Sequence, residues 1–226
     1  MSLAAYVCLD SPQPISHTQP MTSADKITSV RLILAPVFFV IYLLPVLVLP
    51  LGFSQSWLAG QWTVPVLWAL FIISEITDLV DGRVARRQNT VGDFGKLYDP
   101  FADVLVRITY FLCFVIDGIL PVILFLLVLY REFGIQFLRV LMMRKGVAMG
   151  ARWGGKIKAV TYMVAGAFAL LASSVRRLGI EGPWFTVFHA VAVGIFAISV
   201  VIALVSFADY LVLYRKTEQK AKFEQK

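Results

Sequence analysis

The sequence predicts an all-α polytopic membrane protein with six transmembrane helices and both termini in the cytoplasm. Of its 226 residues, 59% are hydrophobic and only 15% charged. Mean hydropathy is +0.78. Apolar stretches of about 20 residues, the length that crosses a hydrocarbon core, recur six times along the chain. Such a composition excludes a soluble globular domain, a disordered chain and a collagen-like repeat. The two cysteines, Cys8 near the start and Cys113 inside an apolar run, exclude a disulfide scaffold.

Residues 1–26 are polar, contain Pro12, Pro14 and Pro20, and carry no positive charge before Lys26, so they read as a cytoplasmic N-terminal tail without the basic start of a secretory signal. The membrane domain follows over residues 27–213. Its spans are expected at Ile27–Leu49, Val64–Leu79, Leu97–Ile116, Leu120–Met143, Ile157–Val175 and Phe185–Leu213. Residues 214–226 form a basic cytoplasmic tail.

Orientation follows from the basic residues, which gather on the cytoplasmic side of a membrane. Arg83, Arg86, Arg87 and Lys96 lie between spans two and three, and Arg144, Lys145, Arg152, Lys156 and Lys158 between four and five. The end after span six is also basic, and Lys26 and Arg31 precede or open span one. The alternate connections hold only Arg176 and Arg177. The net charge of +7 is therefore read as contact with an anionic leaflet and not with nucleic acid.

Four of the 14 acidic residues set the chemistry. Asp78 and Asp81 are spaced i, i+3 at the end of span two, and Asp99 and Asp103 are spaced i, i+4 at the start of span three. Each pair shares one helix face. The short connection is expected to bring the two helices back against each other, so that four carboxylates meet at the cytoplasmic mouth. Like charges in a partly desolvated site require counter-charge. Hard oxygen donors without a nearby His or Cys point to Mg²⁺ or Mn²⁺, and four carboxylates suit two divalent ions per site and a phosphoryl transfer. Gly82 and Ala85 lack the bulk that would keep a nucleotide from the backbone, Arg86 is placed to grip a pyrophosphate, and Gly95 lies one turn before Asp99. The plainer reading has the four acids pair with Arg83, Arg86, Arg87 and Lys96 as an interfacial charge patch.

The order Asp78-x-x-Asp81-Gly82-x-x-Ala85-Arg86, eight residues, Gly95-x-x-x-Asp99-x-x-x-Asp103 resembles the motif of the CDP-alcohol phosphotransferase family at all eight positions. The resemblance implies six transmembrane helices, a homodimer, and transfer of a phospho-alcohol group from a CDP-linked donor to a hydroxyl, with release of CMP. It implies that Asp78, Asp81, Asp99 and Asp103 hold two divalent ions and that Asp103 is the catalytic base toward the acceptor. Gly82, Ala85, Arg86 and Gly95 would then contact the donor nucleotide.

From Ile27 to about Ala172 the chain is further similar to the phosphatidylglycerolphosphate synthases of that family, through Phe94–Asp103, Tyr130-Arg131-Glu132, Leu138-Arg139 and Trp153–Lys158. This implies CDP-diacylglycerol as donor and sn-glycerol 3-phosphate as acceptor, in the membrane lipids of a bacterial inner (cytoplasmic) membrane, with the active site facing the cytoplasm. Two positions depart from that pattern. Val104 stands where many of those synthases carry Lys, and Ala24-Asp25-Lys26 replaces an Asn-Pro-Asn-like start.

An acceptor phosphate needs cations near the ions, and Arg131, Arg139, Lys156 and Lys158 are the candidates. Arg131 has an alternative partner in Glu132, Lys156 and Lys158 an alternative role as membrane anchors, and Arg107 is read as pairing with a carboxylate. Thr28 and Arg31 are weaker acceptor candidates. Other acceptors within the family, leading to cardiolipin, phosphatidylinositol-phosphate or phosphatidylserine, are the nearest alternatives. A divalent-cation transporter is the alternative of another class, and it would distribute its acids across the bilayer.

Overall fold

Apolar residues at three- and four-residue spacing dictate helices throughout, and in membrane the backbone must satisfy its own polar groups. The structure is a computed structural model that describes residues 23–48, 61–88, 93–144, 153–180 and 182–224. The described residues form six helices and no strand: α1 (Ser23–Val48), α2 (Thr63–Gln88), α3 (Asp93–Ile116), α4 (Val122–Arg144), α5 (Trp153–Arg177) and α6 (Pro183–Glu224). Residues 1–22 of the expected tail and the connection 145–152 lie outside the described residues.

Three helices, α1, α5 and α6, contain segments long and apolar enough to cross a membrane by length and composition alone. The other three are interrupted by more charged residues: Glu75, Asp78 and Asp81 on α2, Asp99, Asp103 and Arg107 on α3, Arg131, Glu132 and Arg139 on α4. Helix α6 continues past Leu213 to Glu224, so its 42 residues reach about 63 Å, roughly twice the hydrocarbon thickness. Its last turns are rich in Lys, Glu and Gln, which favour helix without needing a packing face.

The buried stripe of α1 is Thr28, Arg31, Ala35, Phe38 and Tyr42, a strict three-four spacing that faces both α2 and α3. Among the described residues α2 and α3 each pack far more on α1 than on each other. Among the described residues the acidic helices are therefore joined mainly through α1, with direct contacts at Phe71–Tyr110 and Arg107–Asp78; the connection between them lies outside the described residues. Helix α5 lies along α6, and α4 closes the other side of α6. Small residues on α6, Ala192, Ser199, Ala203 and Ser206, are buried and allow this close approach.

Aromatic rings fill the middle of the bundle. Phe38 meets Tyr110 with ring centroids 4.4 Å apart, Phe71 meets Tyr110 at 5.5 Å, and Phe111 meets Phe196 at 4.8 Å. Helices α3 and α5 end in glycines with positive φ, Gly118 at 70° and Gly179 at 68°, where a Cβ would be strained.

Beyond the aromatic layer lies a polar clasp. Tyr42 donates to Asp117 at 2.7 Å and contacts Ser173 at 2.8 Å. Arg177 donates to the Tyr42 carbonyl at 2.9 Å, to Thr63 and Ser173 at 3.2 Å each, and lies 4.3 Å from the Tyr42 ring centroid. Arg176 pairs with Asp117. The clasp joins α1, α2 and α5 to the turn after α3, eleven residues or about 16 Å along α1 from Arg31. Arg177→Met should cost about 2 kcal/mol, the worth of hydrogen bonds from a charged donor. Thermal unfolding in detergent checks this, with Tyr42→Phe expected to lower the midpoint less.

Candidate active site

Two of the four motif carboxylates, Asp78 and Asp103, meet at two buried arginines, and a third, Asp99, is held by Thr28 one turn before Arg31. From the first turns of α1, Thr28 donates to Asp99 Oδ1 at 2.7 Å and Arg31 pairs with Asp78 Oδ1. From α3, Arg107 lies one turn beyond Asp103 and donates through Nε to Asp103 Oδ1 at 2.7 Å. Its Nη2 lies 3.6 Å from Asp78 Oδ2, and its Nη1 donates to the Ala159 carbonyl on α5 at 2.9 Å. Asp78 and Asp103 are thus joined through Arg107, with Arg31 and Thr28 of α1 on Asp78 and Asp99 and the Ala159 carbonyl of α5 on Arg107.

The burial is asymmetric. Arg31 and Arg107 are 2% and 7% exposed, whereas the Asp78 and Asp103 side chains are 33% and 28% exposed. The cations form the floor of the site and the carboxylates its accessible side. The Tyr98 and Ser29 hydroxyls, 2.9 Å apart, add a second fastening between α1 and α3. Gln136 of α4 donates to the Pro100 carbonyl at 2.9 Å, holding the turn between Asp99 and Asp103. Glu75 is half-buried one turn before Asp78.

Helix α2 carries Asp81, Gly82, Ala85 and Arg86, and α3 carries Gly95, but their side chains lie outside the described residues. Among the described residues no three His, Cys, Asp or Glu side chains cluster tightly enough to hold a metal ion by themselves. The donor set is nevertheless hard oxygen, and Mg²⁺ is usually held by one or two carboxylates completed by water and substrate phosphate oxygens. Carboxylates facing an opening from two helices fit that requirement better than a closed protein cage.

A second charged cluster lies on the α4, α5 and α6 side. Glu132 accepts from Arg131 Nη1 at 2.9 Å and from Lys158 Nζ at 2.8 Å. Arg131 also donates to the Ala203 carbonyl at 3.2 Å and to Ser206 at 3.4 Å, and Lys158 stands 4.9 Å from the Tyr162 ring centroid. All three ionisable side chains are buried. Two cations share one carboxylate, so the cluster retains one positive charge. Arg139 is half-buried, with its Nε shielded and unbonded. The side chain of Lys156 lies outside the described residues.

The structure therefore brings Arg131 and Lys158 together and shows Arg107 on a carboxylate, as its one-turn spacing from Asp103 suggests. Thr28 and Arg31, read from sequence as weak acceptor candidates, hold motif carboxylates instead. The available signal was their spacing, which continues the apolar stripe of Ala35, Phe38 and Tyr42 and places them on the packed face.

A family model for CDP-alcohol phosphatidyltransferases matches residues 21–205. The chain belongs to that family, whose members generally use divalent metal ions. It is 43% identical over 143 residues to a protein of Treponema pallidum (strain Nichols) named CDP-diacylglycerol–glycerol-3-phosphate 3-phosphatidyltransferase, covering 63% of this chain and 66% of that one, just short of two thirds of its length. A probable phosphatidylglycerophosphate synthase of Mycobacterium tuberculosis (strain CDC 1551 / Oshkosh) is 32% identical over 188 residues, covering 83% of this chain and 79% of the relative. A Bacillus subtilis (strain 168) protein with the same name as the Treponema relative is 34% identical over 152 residues, with 65% and 75% covered.

Glu132→Gln would leave Arg131 and Lys158 buried without counter-charge, a loss of about 3–5 kcal/mol. Adding Lys158→Met to that variant returns the cluster to one positive charge. The double variant is expected to unfold at a higher temperature than Glu132→Gln alone, as read by thermal unfolding in the same detergent.

Proposed function

We propose that this chain transfers a phosphatidyl group from CDP-diacylglycerol to sn-glycerol 3-phosphate, giving phosphatidylglycerolphosphate and CMP. The observation that carries this reading is the meeting of Asp78 and Asp103 on the more exposed side of Arg31 and Arg107, with Asp99 held by Thr28 on the same face of α1 as Arg31. The family match and the names of the relatives support the reaction class and the substrate pair. An apolar groove of about 300 Å³ supports a lipid donor, because it runs between α1 and α3 from Leu32, the neighbour of Arg31, past Ala35, Phe39, Leu105 and Leu112.

In this reading Asp103 accepts the proton of the acceptor hydroxyl. Its oxygen forms a bond to the phosphorus that bears diacylglycerol, and the bond from that phosphorus to the bridging oxygen breaks, so that CMP leaves with the bond's electron pair. Asp103 Oδ1 is held by Arg107, which leaves Oδ2 for the hydroxyl. Asp78, Asp81, Asp99 and Asp103 would hold two Mg²⁺ or Mn²⁺ ions, which neutralise pyrophosphate charge and favour departure of CMP. Gly82, Ala85, Arg86 and Gly95, matched to the family motif, would contact the donor nucleotide. Arg131 and Lys158, with Arg139 and Lys156 as further candidates, hold the acceptor phosphate, and the residual positive charge of the Glu132 cluster supports this.

The same reading has all six helices crossing a bacterial inner membrane, with both termini and the site on the cytoplasmic side and the chain assembled as a homodimer. Helices of 23 to 26 residues, about 35–39 Å long, are long enough to cross. Among the described residues, motif acids grouped toward one end of the bundle, with Asp117 held in the clasp at the other, disfavour an ion-conducting path.

Purified protein in detergent with CDP-diacylglycerol, glycerol 3-phosphate and Mg²⁺ or Mn²⁺ is expected to release CMP and form phosphatidylglycerolphosphate. EDTA and Asp103→Asn should each abolish the product. CMP release with inositol phosphate, phosphatidylglycerol or serine, and none with glycerol 3-phosphate, would overturn the acceptor. Divalent-ion flux into liposomes without CMP release would overturn the reaction.

A further inference from the structure

The guanidinium of Arg107 touches both the proposed base and the helix segment bearing one of the proposed phosphate cations. Its Nε holds Asp103 at 2.7 Å and its Nη1 holds the carbonyl of Ala159, the residue after Lys158, at 2.9 Å. Lys158 is in turn joined through Glu132 to Arg131. A planar, rigid fork thus links the carboxylate that meets the acceptor hydroxyl to the cations that meet the acceptor phosphate.

Each guanidinium nitrogen of Arg107 already has a protein partner, Nε on Asp103, Nη1 on the Ala159 carbonyl and Nη2 toward Asp78, so none is assigned to the acceptor. Its contacts instead determine how far α5 stands from α3 at this level, with the 3.6 Å approach to Asp78 bracing the fork from α2. Val104, buried on α3, offers no charge to share that task.

We infer that Arg107 is a positioning residue that sets the distance between the hydroxyl-activating carboxylate and the phosphate-binding cations, and so selects acceptors by the number of carbons between hydroxyl and phosphate. The inference rests on the proposed transferase reading. It extends that reading by assigning acceptor length to a residue that contacts neither end of the acceptor. A displacement of about 1 Å at a reacting centre can cost about a hundredfold in rate. A fixed span should therefore discriminate between acceptors differing by one methylene.

The test compares kcat/KM for three acceptors with CDP-diacylglycerol as donor: ethane-1,2-diol monophosphate, propane-1,3-diol monophosphate and butane-1,4-diol monophosphate. The wild type is expected to favour the three-carbon acceptor by at least about tenfold. Arg107→Lys keeps the charge but loses the fork, and should flatten that preference several-fold while raising KM for the donor far less. Arg107→Met should flatten it further where it folds. A wild type that uses the three acceptors equally, or an active Arg107→Lys with unchanged preference, would overturn the inference while leaving the transferase reading intact. A wild type that turns over neither glycerol 3-phosphate nor any of the three would remove both.

Discussion

A charged side chain at hydrocarbon depth persists only beside its counter-charge, and in this chain that pairing arranges the helices. Arg31 and Arg107, 2% and 7% exposed, bind Asp78 from two directions, and Arg107 binds Asp103 and the Ala159 carbonyl as well. Four helices, α1, α2, α3 and α5, are tied at one level by two guanidinium groups. Without them Asp78 and Asp103 would lose the counter-charge that joins α2 to α3 at this level.

The rest of the bundle keeps that level in place. Between the arginines and the outer clasp of Tyr42, Asp117, Ser173 and Arg177 lies an apolar layer of Phe38, Tyr110, Phe71, Phe111 and Phe196. The clasp fixes the far end and the aromatic layer fills the middle, so the carboxylates sit at the end of a stiff scaffold, where fixed geometry matters most. The Glu132 cluster repeats the logic on the other side, with one carboxylate permitting two buried cations.

Much of this was legible in the residues. Six helical segments followed from apolar length, although α2 runs nine residues past the expected Leu79 to Gln88, and the i, i+4 spacing set Asp99 and Asp103 one turn apart on α3, while the side chain of Asp81 lies outside the described residues. Arg107 was legible because its partner Asp103 is one turn away on the same helix. What escaped were contacts between helices distant in sequence. Thr28 reaches Asp99 across 71 residues and Lys158 reaches Glu132 across 26. Periodicity shows which face is buried but not which neighbour it meets. Hence α1 was not foreseen as the helix joining α2 to α3, and Arg177 was read only as a charge in an outer connection. The extension of α6 to Glu224 escaped because apolar length marks where a span ends, not where a helix ends.

The central claim is that Asp78 on α2 and Asp103 on α3 serve one centre joined across Arg107. A Mn²⁺ titration followed by electron paramagnetic resonance, on wild type, Asp78→Asn, Asp103→Asn and the double variant, tests it most directly. One centre means that each single substitution weakens the same bound ions and that the double variant loses less than the sum of the two single losses. Independent losses at separate sites, adding fully in the double variant, would contradict it.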